Sequence, residues 1–320
     1  MSGGDVLIRD FRRSDSNDLL DLLPRCFAKE FEISGFDPVH MRGLINRAYG
    51  VTGRLFLGSS RILGREPIKF FVAEVDKKVV GTTMVNRRMK VGYISAVMVS
   101  PDRRRKGIAT KLVKNAVEYI QKRGMNRAAL HAVTTNAPAI DAYSKLGFRP
   151  FEQVVHMVAE MNSITPWGGV EEVQTRPFRG SDLPEVYALY RESEDPDHLK
   201  VFGASKNQLK APTWLRLFRI STQKRMVAIR EGKIVGSVLA SYTTPKEAGT
   251  IGALHVRPED RSRGIEVAMA KAAIEAIRGG GIERVVAVVP STRPEVVETM
   301  SRLGFTQAMV LMGMSRESGG

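Results

Sequence analysis

The amino-acid sequence predicts an α/β fold, an α+β arrangement of helices on a mixed sheet, built as two tandem domains. The first observation behind this prediction is length, because 320 residues suffice for about two domains of ordinary size. The second is an internal repeat at a constant offset of 157 residues. The third is that β-rich runs alternate, within each copy, with stretches whose apolar residues recur at helical spacing.

Two separate segments carry the repeat. Residues 99–108 recur as 256–265, and the Leu-Gly-Phe triplet at 146–148 recurs at 303–305. The offset is the same for both segments, so the stretch between them aligns without a gap. A duplication of one mixed domain explains this pattern.

The repeat also sets the predicted domain boundaries. We expect an N-terminal domain at 1–163 and a C-terminal domain at 172–316. Between them, Pro166 and the paired glycines at 168–169 interrupt both periodicities, as is typical of a linker.

The elements of the first copy follow in order from the two periodicities. A helix with apolar residues from Leu19 to Phe27 is followed by a hairpin around residues 76–78, then by a third strand. After Pro101 the apolar spacing becomes helical, and Gly124 is a typical C-cap residue. The remaining predicted elements are strands at 69–75, 79–86, 91–99, 128–133 and 152–161, and helices at 108–120 and 137–146.

Composition excludes several classes of protein. No apolar run approaches the roughly 18 to 20 residues of a membrane-spanning helix, and the first residues lack a signal-peptide pattern. We therefore expect a cytoplasmic protein without a membrane partner. Cys26 is the single cysteine and the five histidines are scattered, so we expect no disulfide and no metal site.

The charge balance points to an anionic partner. The net charge is +15, and the first 165 residues carry +11 of it. Such an excess fits nucleic acid, an acidic surface or a polyphosphorylated cofactor. Aromatic residues make up only 7% and do not cluster near the arginine runs at 87–90 and 103–106, so we do not expect nucleic acid.

One arrangement is typical of phosphate binding. A strand ends at Val99, a basic loop follows, and a helix opens at Gly107. The backbone N–H groups of such a loop and of the first helical turn point at one spot, and the helix dipole adds partial positive charge. Gly107 and Ala109 are small enough to let a pyrophosphate reach these amides.

Two motifs carry a resemblance to a known superfamily. Residues 104–109, Arg-Arg-Lys-Gly-Ile-Ala, match the signature R/Q-x-x-G-x-G/A, and residues 136–148 match N-x-x-A-x-x-x-Y-x-x-x-G-F. In this order and spacing the first copy resembles the GNAT superfamily of acetyl-CoA-dependent N-acetyltransferases. The second copy resembles it more weakly.

The resemblance implies acetyl-CoA as co-substrate and assigns roles to residues of the first copy. The backbone of one strand end would bind the pantetheine, the basic loop would cradle the pyrophosphate, Asn136 would contact the cofactor arm, and Tyr143 would protonate the departing thiolate. The strand residues are Val97, Met98 and Val99, and the loop residues are Arg104, Arg105, Lys106, Gly107, Ile108, Ala109 and Thr110.

The general base is the open part of the site. Many members of the superfamily place a carboxylate on the fourth strand, where this chain has Ser95. Tyr93 and His131 are similar to the base pair of some protein N-terminal acetyltransferases. The alternative is an ordinary strand tyrosine and a packed strand histidine.

The second copy departs from the pattern at each chemical position. Glu266, Arg293 and Met300 stand where the first copy has Ala109, Asn136 and Tyr143. A glutamate opposes a pyrophosphate, and methionine cannot donate a proton. We therefore interpret this copy as degenerate, serving as scaffold or as part of the acceptor cleft.

The predicted activity is acetyl transfer from acetyl-CoA to a primary amine, without a covalent enzyme intermediate. Because no strand carboxylate is present, the favoured acceptor is a peptide or protein N-terminal α-amine, which loses its proton more readily than lysine. The alternatives are a small-molecule amine as acceptor, or a non-catalytic acyl-CoA-binding sensor. The sequence does not indicate an oligomeric state.

Overall fold

The computed structural model divides by its contacts into two compact units. The described residues of the first unit are 5–32, 68–88, 90–151 and 312–318. The second unit contains residues 33–34 and the described residues from 152 to 311. The structure as a whole describes residues 5–34, 68–88, 90–165, 173–203, 205–209, 221–243 and 248–318.

The first unit has the alternation of strands and helices that the sequence predicts. Pro24 lies within its first helix, and Phe27 has non-helical dihedral angles (φ −127°, ψ 29°), so this helix is kinked. The elements are β1 (Leu7–Asp10), α1 (Ser16–Ser34), β2 (Ile68–Val75), β3 (Lys78–Arg88), β4 (Val91–Val99), α2 (Ile108–Lys122), β5 (Arg127–Val133) and α3 (Ala137–Lys145).

The sheet of the first unit runs in the order β1, β2, β3, β4, β5. Neighbours are antiparallel except β4 and β5, which are parallel. Helix α2 packs its apolar face on this sheet, with Leu112, Val113 and Ile120 fully buried. A Cβ atom on Gly92 of β4 would lie 2.3 Å from Ile120, so glycine is what lets helix and strand approach.

The second unit repeats this plan. Its core forms between the helix at Ile265–Arg278 and the sheet, and a Cβ atom on Gly249 would lie 2.4 Å from Ile277. The remaining elements are β6 (Arg149–Glu160), β7 (Gln174–Pro177), α4 (Leu183–Ser193), α5 (Pro196–Phe202), β8 (Ser221–Arg230), β9 (Lys233–Thr243), β10 (Ala248–Val256), α6 (Ile265–Arg278), β11 (Arg284–Pro290), α7 (Pro294–Arg302) and β12 (Thr306–Glu317).

The last strand of each copy has a partner that the sequence did not predict. Strand β6, expected to close the sheet of the first domain, pairs antiparallel with β11, with Glu160 opposite Arg284 and Val154 opposite Pro290. The end of β12, residues 312–317, lies beside β5 in the first unit. A strand pattern indicates that a strand forms but not which edge it joins.

The predicted mixed α/β class and the tandem repeat are confirmed. The sequence domains at 1–163 and 172–316 stay a prediction, because the contact-defined units divide β6 and β12 between them. Among the described residues, no helix is both long and apolar enough to span a membrane.

Candidate active site

Strands β4 and β5 diverge after their first three residues. Their parallel pairing covers only Val91 to Tyr93 on β4 and Arg127 to Ala129 on β5. Further along β4, Ala96 has a positive φ of 49°, and the register with β3 shifts between Ser95 and Met98. The shift is a β-bulge, which turns the strand away from its former plane. The gap between the two strand ends is a site where a narrow ligand can reach backbone groups.

Strand β4, whose end is predicted to bind pantetheine, ends beside this gap. Met98 and Val99 are buried and Val97 is half-buried. The carbonyl oxygen of Val99 accepts hydrogen bonds from Arg104 Nε at 3.2 Å and from Cys26 Sγ at 3.5 Å. Arg104 therefore fixes the start of the basic loop against the end of β4.

The predicted phosphate loop has the backbone that such a site requires. A 3₁₀ turn at Pro101–Arg103 leads into Arg104, and Arg105 and Gly107 have φ of 62° and 74°. Gly107 is the N-cap of α2, and no side chain caps the first turn. A Cβ atom on Gly107 would meet nothing within 4 Å. The first turn is thus left without a side-chain cap, as an anion site needs.

The loop residues differ in what they can offer a ligand. Arg105 and Lys106 are exposed, so their side chains can approach a phosphate. Ile108 is 2% exposed and packs in the core, so only its N–H can take part. Ala109 and Thr110 are half-buried in the same first turn.

Asn136 and Tyr143 lie at the start and near the end of α3. The Asn136 side chain accepts a hydrogen bond from Ala139 N at 3.3 Å, which leaves its amide nitrogen as the group that can meet a cofactor arm. Tyr143 is 8% exposed, and burial raises its pKa to about 12. This hydroxyl therefore stays protonated and can donate at neutral pH.

The structure brings Tyr93 and His131 together at the point where β4 and β5 diverge. Tyr93 Oη lies 3.0 Å from His131 Nδ1, and the two rings are 5.7 Å apart. Two neighbours were missed by sequence reasoning. The Arg88 guanidinium lies 4.5 Å from the Tyr93 ring centre, and the Phe151 ring lies edge-on to His131 at 6.1 Å. Only the basic run at 87–90 hinted at the first.

Ser95 lies in the same strand and has a polar partner. Its hydroxyl accepts a hydrogen bond from Asn86 Nδ2 at 3.0 Å. In the part of the chain that the structure describes, no group of three or more His, Cys, Asp or Glu could hold a metal ion. Two segments were expected to line the acceptor side, 30–41 and 149–154, and neither matches an interpretable pattern. Residues 149–154 begin β6, 30–34 end α1, and 35–41 lie outside the described residues.

The equivalent loop of the second unit has a similar backbone conformation but different side chains. Ser262 and Gly264 have φ of 59° and 84°, close to the values of Arg105 and Gly107. Here, however, the carboxylate of buried Glu266 accepts a hydrogen bond from Ser262 N at 3.2 Å. The Glu266 carboxylate thus occupies the position in this loop where an anion would bind.

Comparison with known proteins places both repeats in one family. Residues 17–148 and 183–305, more than half of the chain, match the acetyltransferase (GNAT) family. An uncharacterized N-acetyltransferase of Methanocaldococcus jannaschii is 35% identical over 29% of this chain and 44% of its own length. An N-alpha-acetyltransferase of Sulfurisphaera tokodaii is 31% identical over 28% of this chain and 62% of its own. The chain therefore spans less than two thirds of either relative.

Solved structures support the same fold over nearly the whole chain. A GCN5-related N-acetyltransferase from Sphaerobacter thermophilus has a TM-score of 0.68 and 19% identity, covering 98% of this chain and 96% of that one. A tandem GNAT protein from the clavulanic acid biosynthesis pathway has a TM-score of 0.65 and 16% identity, covering 99% of both chains. With both repeats matched, this chain belongs to the acetyltransferase (GNAT) family, of which it carries two copies.

Proposed function

We propose that the first unit transfers an acetyl group from acetyl-CoA to the α-amine at the N-terminus of a peptide or protein. The observation that carries this proposal is the contact of 3.0 Å between Tyr93 and His131 at the mouth of the gap between β4 and β5. That pair supplies a base where the fourth strand carries no carboxylate in this region.

The residues of the first unit fit acetyl-CoA. The uncapped first turn of α2 and the open space at Gly107 suit a pyrophosphate, and the gap between the strands suits a narrow arm. Val97, Met98 and Val99 would hold that arm through their backbone, and residues 104–110 would hold the phosphates. Bound acetyl-CoA supplies a thioester whose carbonyl carbon the amine attacks.

His131 serves as the base in one of its two tautomers. If Nδ1 carries the proton and donates it to Tyr93 Oη, the Nε2 atom is the acceptor nitrogen. The α-ammonium of the acceptor then gives its proton to Nε2, and the neutral amine attacks. Tyr93 fixes the ring orientation through the same hydrogen bond.

Tyr143 acts on the leaving group. Its hydroxyl donates a hydrogen bond to the departing thiolate sulfur and so stabilises the charge that develops there. A complete proton transfer from a phenol of pKa about 12 to a thiolate that ordinarily titrates near 8.5 is uphill by roughly 3.5 units, or about 5 kcal/mol. We therefore assign Tyr143 the role of hydrogen-bond donor. The proton that the amine releases balances the negative charge of the departing thiolate.

The preference for an α-amine follows from proton affinity. A lysine side chain ordinarily titrates near 10.4, so making it neutral at pH 7 costs about 4.6 kcal/mol, against under ~1.5 kcal/mol for an α-amine near 7.7 to 8.0. An imidazole is suited to removing a proton from an α-ammonium rather than from a lysine ammonium. The Sulfurisphaera relative is named an N-alpha-acetyltransferase, which supports the same acceptor class.

A panel of acceptors tests the proposal. Peptides with free and with blocked N-termini are assayed beside polyamines and amino sugars, and product is located by mass spectrometry. We expect acetylation of free N-termini only, and a loss of at least 100-fold in kcat for His131→Ala. His156→Ala, a strand histidine of the second unit, is the matched control and should keep its activity. Acetylation confined to internal lysines or small amines, or full activity of His131→Ala, would contradict the proposal.

A further inference from the structure

One face of the first unit's sheet carries further side chains around Tyr93 and His131, which we call the dyad. Side chains alternate between the two faces of a strand, and residues directly opposite each other on neighbouring strands share a face. Asn86 of β3 lies opposite Tyr93 of β4, so Arg88, two residues further along β3, shares the face of Tyr93. Tyr93 also lies opposite Ala129 of β5, which places His131 on this face as well. The register of the three strands thus brings a guanidinium, a phenol and an imidazole to one surface.

Each ring of the dyad contacts a further side chain. The Arg88 guanidinium lies 4.5 Å from the centre of the Tyr93 ring, well within the roughly 6 Å over which a cation is attracted to a ring face. The Phe151 ring lies 6.1 Å from the His131 ring at an angle of 71° between the planes, an edge-on geometry that aromatic pairs favour. All four residues belong to the first unit. Arg88, Tyr93, His131 and Phe151 therefore form a continuous row of contacts.

The chemistry assigned to the dyad depends on the orientation of both rings. In the proposed function, Nε2 of His131 accepts a proton only when Nδ1 donates to Tyr93 Oη, 3.0 Å away. Both side chains are only half-buried, so water can compete for this hydrogen bond. Rotation of the Tyr93 side chain would break the bond and let the imidazole take its other tautomer. Side chains that restrict the two rings therefore act on the rate, because a misplacement of ~1 Å can cost about 10²-fold.

We infer that Arg88 and Phe151 are positioning residues for the dyad, an inference that rests on the proposed function. Arg88 restrains the Tyr93 ring through its cation–π contact, and Phe151 restrains the imidazole through its edge-on contact. Neither residue exchanges a proton in the reaction, because phenylalanine has none to give and a guanidinium stays charged at neutral pH. Both act on the acceptor amine only through Tyr93 and His131.

Steady-state kinetics of the full chain, with acetyl-CoA and a peptide bearing a free N-terminus, test the two contacts separately. Arg88→Met removes the charge over the ring, and we expect kcat to fall about two- to fivefold, the equivalent of an exposed cation–π contact. Phe151→Leu should lower kcat by about two- to twelvefold, the equivalent of an aromatic pair. The KM for acetyl-CoA should not change in either variant. Arg88→Lys, which keeps a cation near the ring, should recover part of the loss.

Arg87→Met is the matched control for Arg88→Met. Arg87 lies opposite Gly92, and a Cβ atom on Gly92 would meet Ile120 of α2, so Arg87 is on the helix-covered face and the dyad is on the other. The control removes the same charge from the same strand, and it should leave kcat unchanged. Equal losses in the two arginine variants would show a general effect of charge and overturn the role of Arg88. A rise in the KM for the peptide with unchanged kcat would overturn it too, since that result indicates direct contact with the acceptor.

A double-mutant cycle separates positioning from a merely structural role. Tyr93→Phe keeps the ring that Arg88 contacts but removes the hydroxyl that meets His131. If Arg88 acts through that hydrogen bond, Arg88→Met should cost nothing further in kcat once Tyr93→Phe is present. Losses that multiply in the double variant overturn the role of Arg88, and an unchanged kcat in Phe151→Leu overturns that of Phe151. Full activity of His131→Ala contradicts the proposed function itself, so the two failures are distinguishable.

Discussion

Ala109 and Glu266 occupy the same turn of equivalent helices, and they separate the two units chemically. In the first unit the N-terminus of α2 is open, with Gly107 facing free space. In the second, the equivalent loop has nearly the same backbone, but Glu266 accepts a hydrogen bond from Ser262 N. The loop conformation is therefore common to both units, whereas only the second has a carboxylate at this position.

The packing contacts did not diverge in this way. Gly92 faces Ile120 in the first unit and Gly249 faces Ile277 in the second, at almost equal distances. These contacts set how closely a helix approaches the sheet, so both copies need them to fold. The positions that we assign to the cofactor carry no such requirement, and the second copy has Glu266, Arg293 and Met300 there.

The largest expected effect concerns Tyr143, whose position in the second unit is Met300. Tyr143→Phe removes only the hydroxyl, so we expect kcat to fall ~10² to 10³-fold with little change in acetyl-CoA affinity. Tyr119→Phe, on α2 with its ring 5.5 Å from Phe71, is the matched control and should keep kcat. Steady-state kinetics with calorimetric Kd values separate the two effects. Equal kcat for Tyr143→Phe and the parent would show that the thiolate leaves without this donor.

The next effect comes from placing the second unit's charge in the first. Ala109→Glu sets a carboxylate near the phosphate loop, at a cost of about 3 kcal/mol per phosphate charge at ~5 Å and an effective dielectric near 20. We expect acetyl-CoA to bind at least 100-fold more weakly by calorimetry. Ala109→Gln, equal in size but neutral, should lose much less. Glu266→Gln should leave one acetyl-CoA per chain, and equal losses for Glu and Gln at 109 would mean that bulk rather than charge matters.

A feature can be predicted from the sequence when the residues that form it lie close together along the chain. The phosphate loop was predictable because a strand end, Gly107 and a helix start lie within a few residues of each other. The proximity of Tyr93 and His131 was expected only through a family resemblance, and the positions of Arg88 and Phe151 beside them were missed. The pairing of β6 with β11 joins segments more than a hundred residues apart, and His255 of β10 contacts Tyr190 of α4 and Glu194, which directly follows that helix. No spacing along the chain encodes such contacts.

The shared packing contact gives a smaller and symmetric effect. Gly92→Ala and Gly249→Ala each force a methyl group against an isoleucine, so we expect each to lower the free energy of unfolding by about 1–3 kcal/mol. Ile120→Val and Ile277→Val, combined with the respective glycine variant, should recover part of the loss. Urea unfolding measures both. A loss in one unit only would show that the two helix contacts are not equivalent.

The smallest expected effect uses His255, whose position in the first unit is Met98. Burial, together with the charges of Arg225 and Arg293, lowers the His255 pKa to about 3, whereas an unfolded chain binds a proton there near pH 6.5. Between these values only the unfolded state carries the proton, so stability falls as the pH falls, by up to about 1.4 kcal/mol per pH unit. His255→Met should remove this slope in chloride-buffered urea titrations between pH 6.5 and 4.5.

The matched control for this slope is a histidine with the opposite shift. For His198, burial lowers the pKa, but the hydrogen bond to Glu152 at 2.7 Å and the charges of Glu152, Glu194 and Asp195 together outweigh burial, and the pKa is raised. Its contribution is therefore complete below its ordinary pKa and is lost as the pH rises through the raised value. His198→Asn should change stability below pH 6.5 by a constant amount, while His255→Met changes the slope. An unchanged acid slope in His255→Met would mean that this ring is protonated in the folded second unit, which the buried position of its unpartnered Nδ1 argues against.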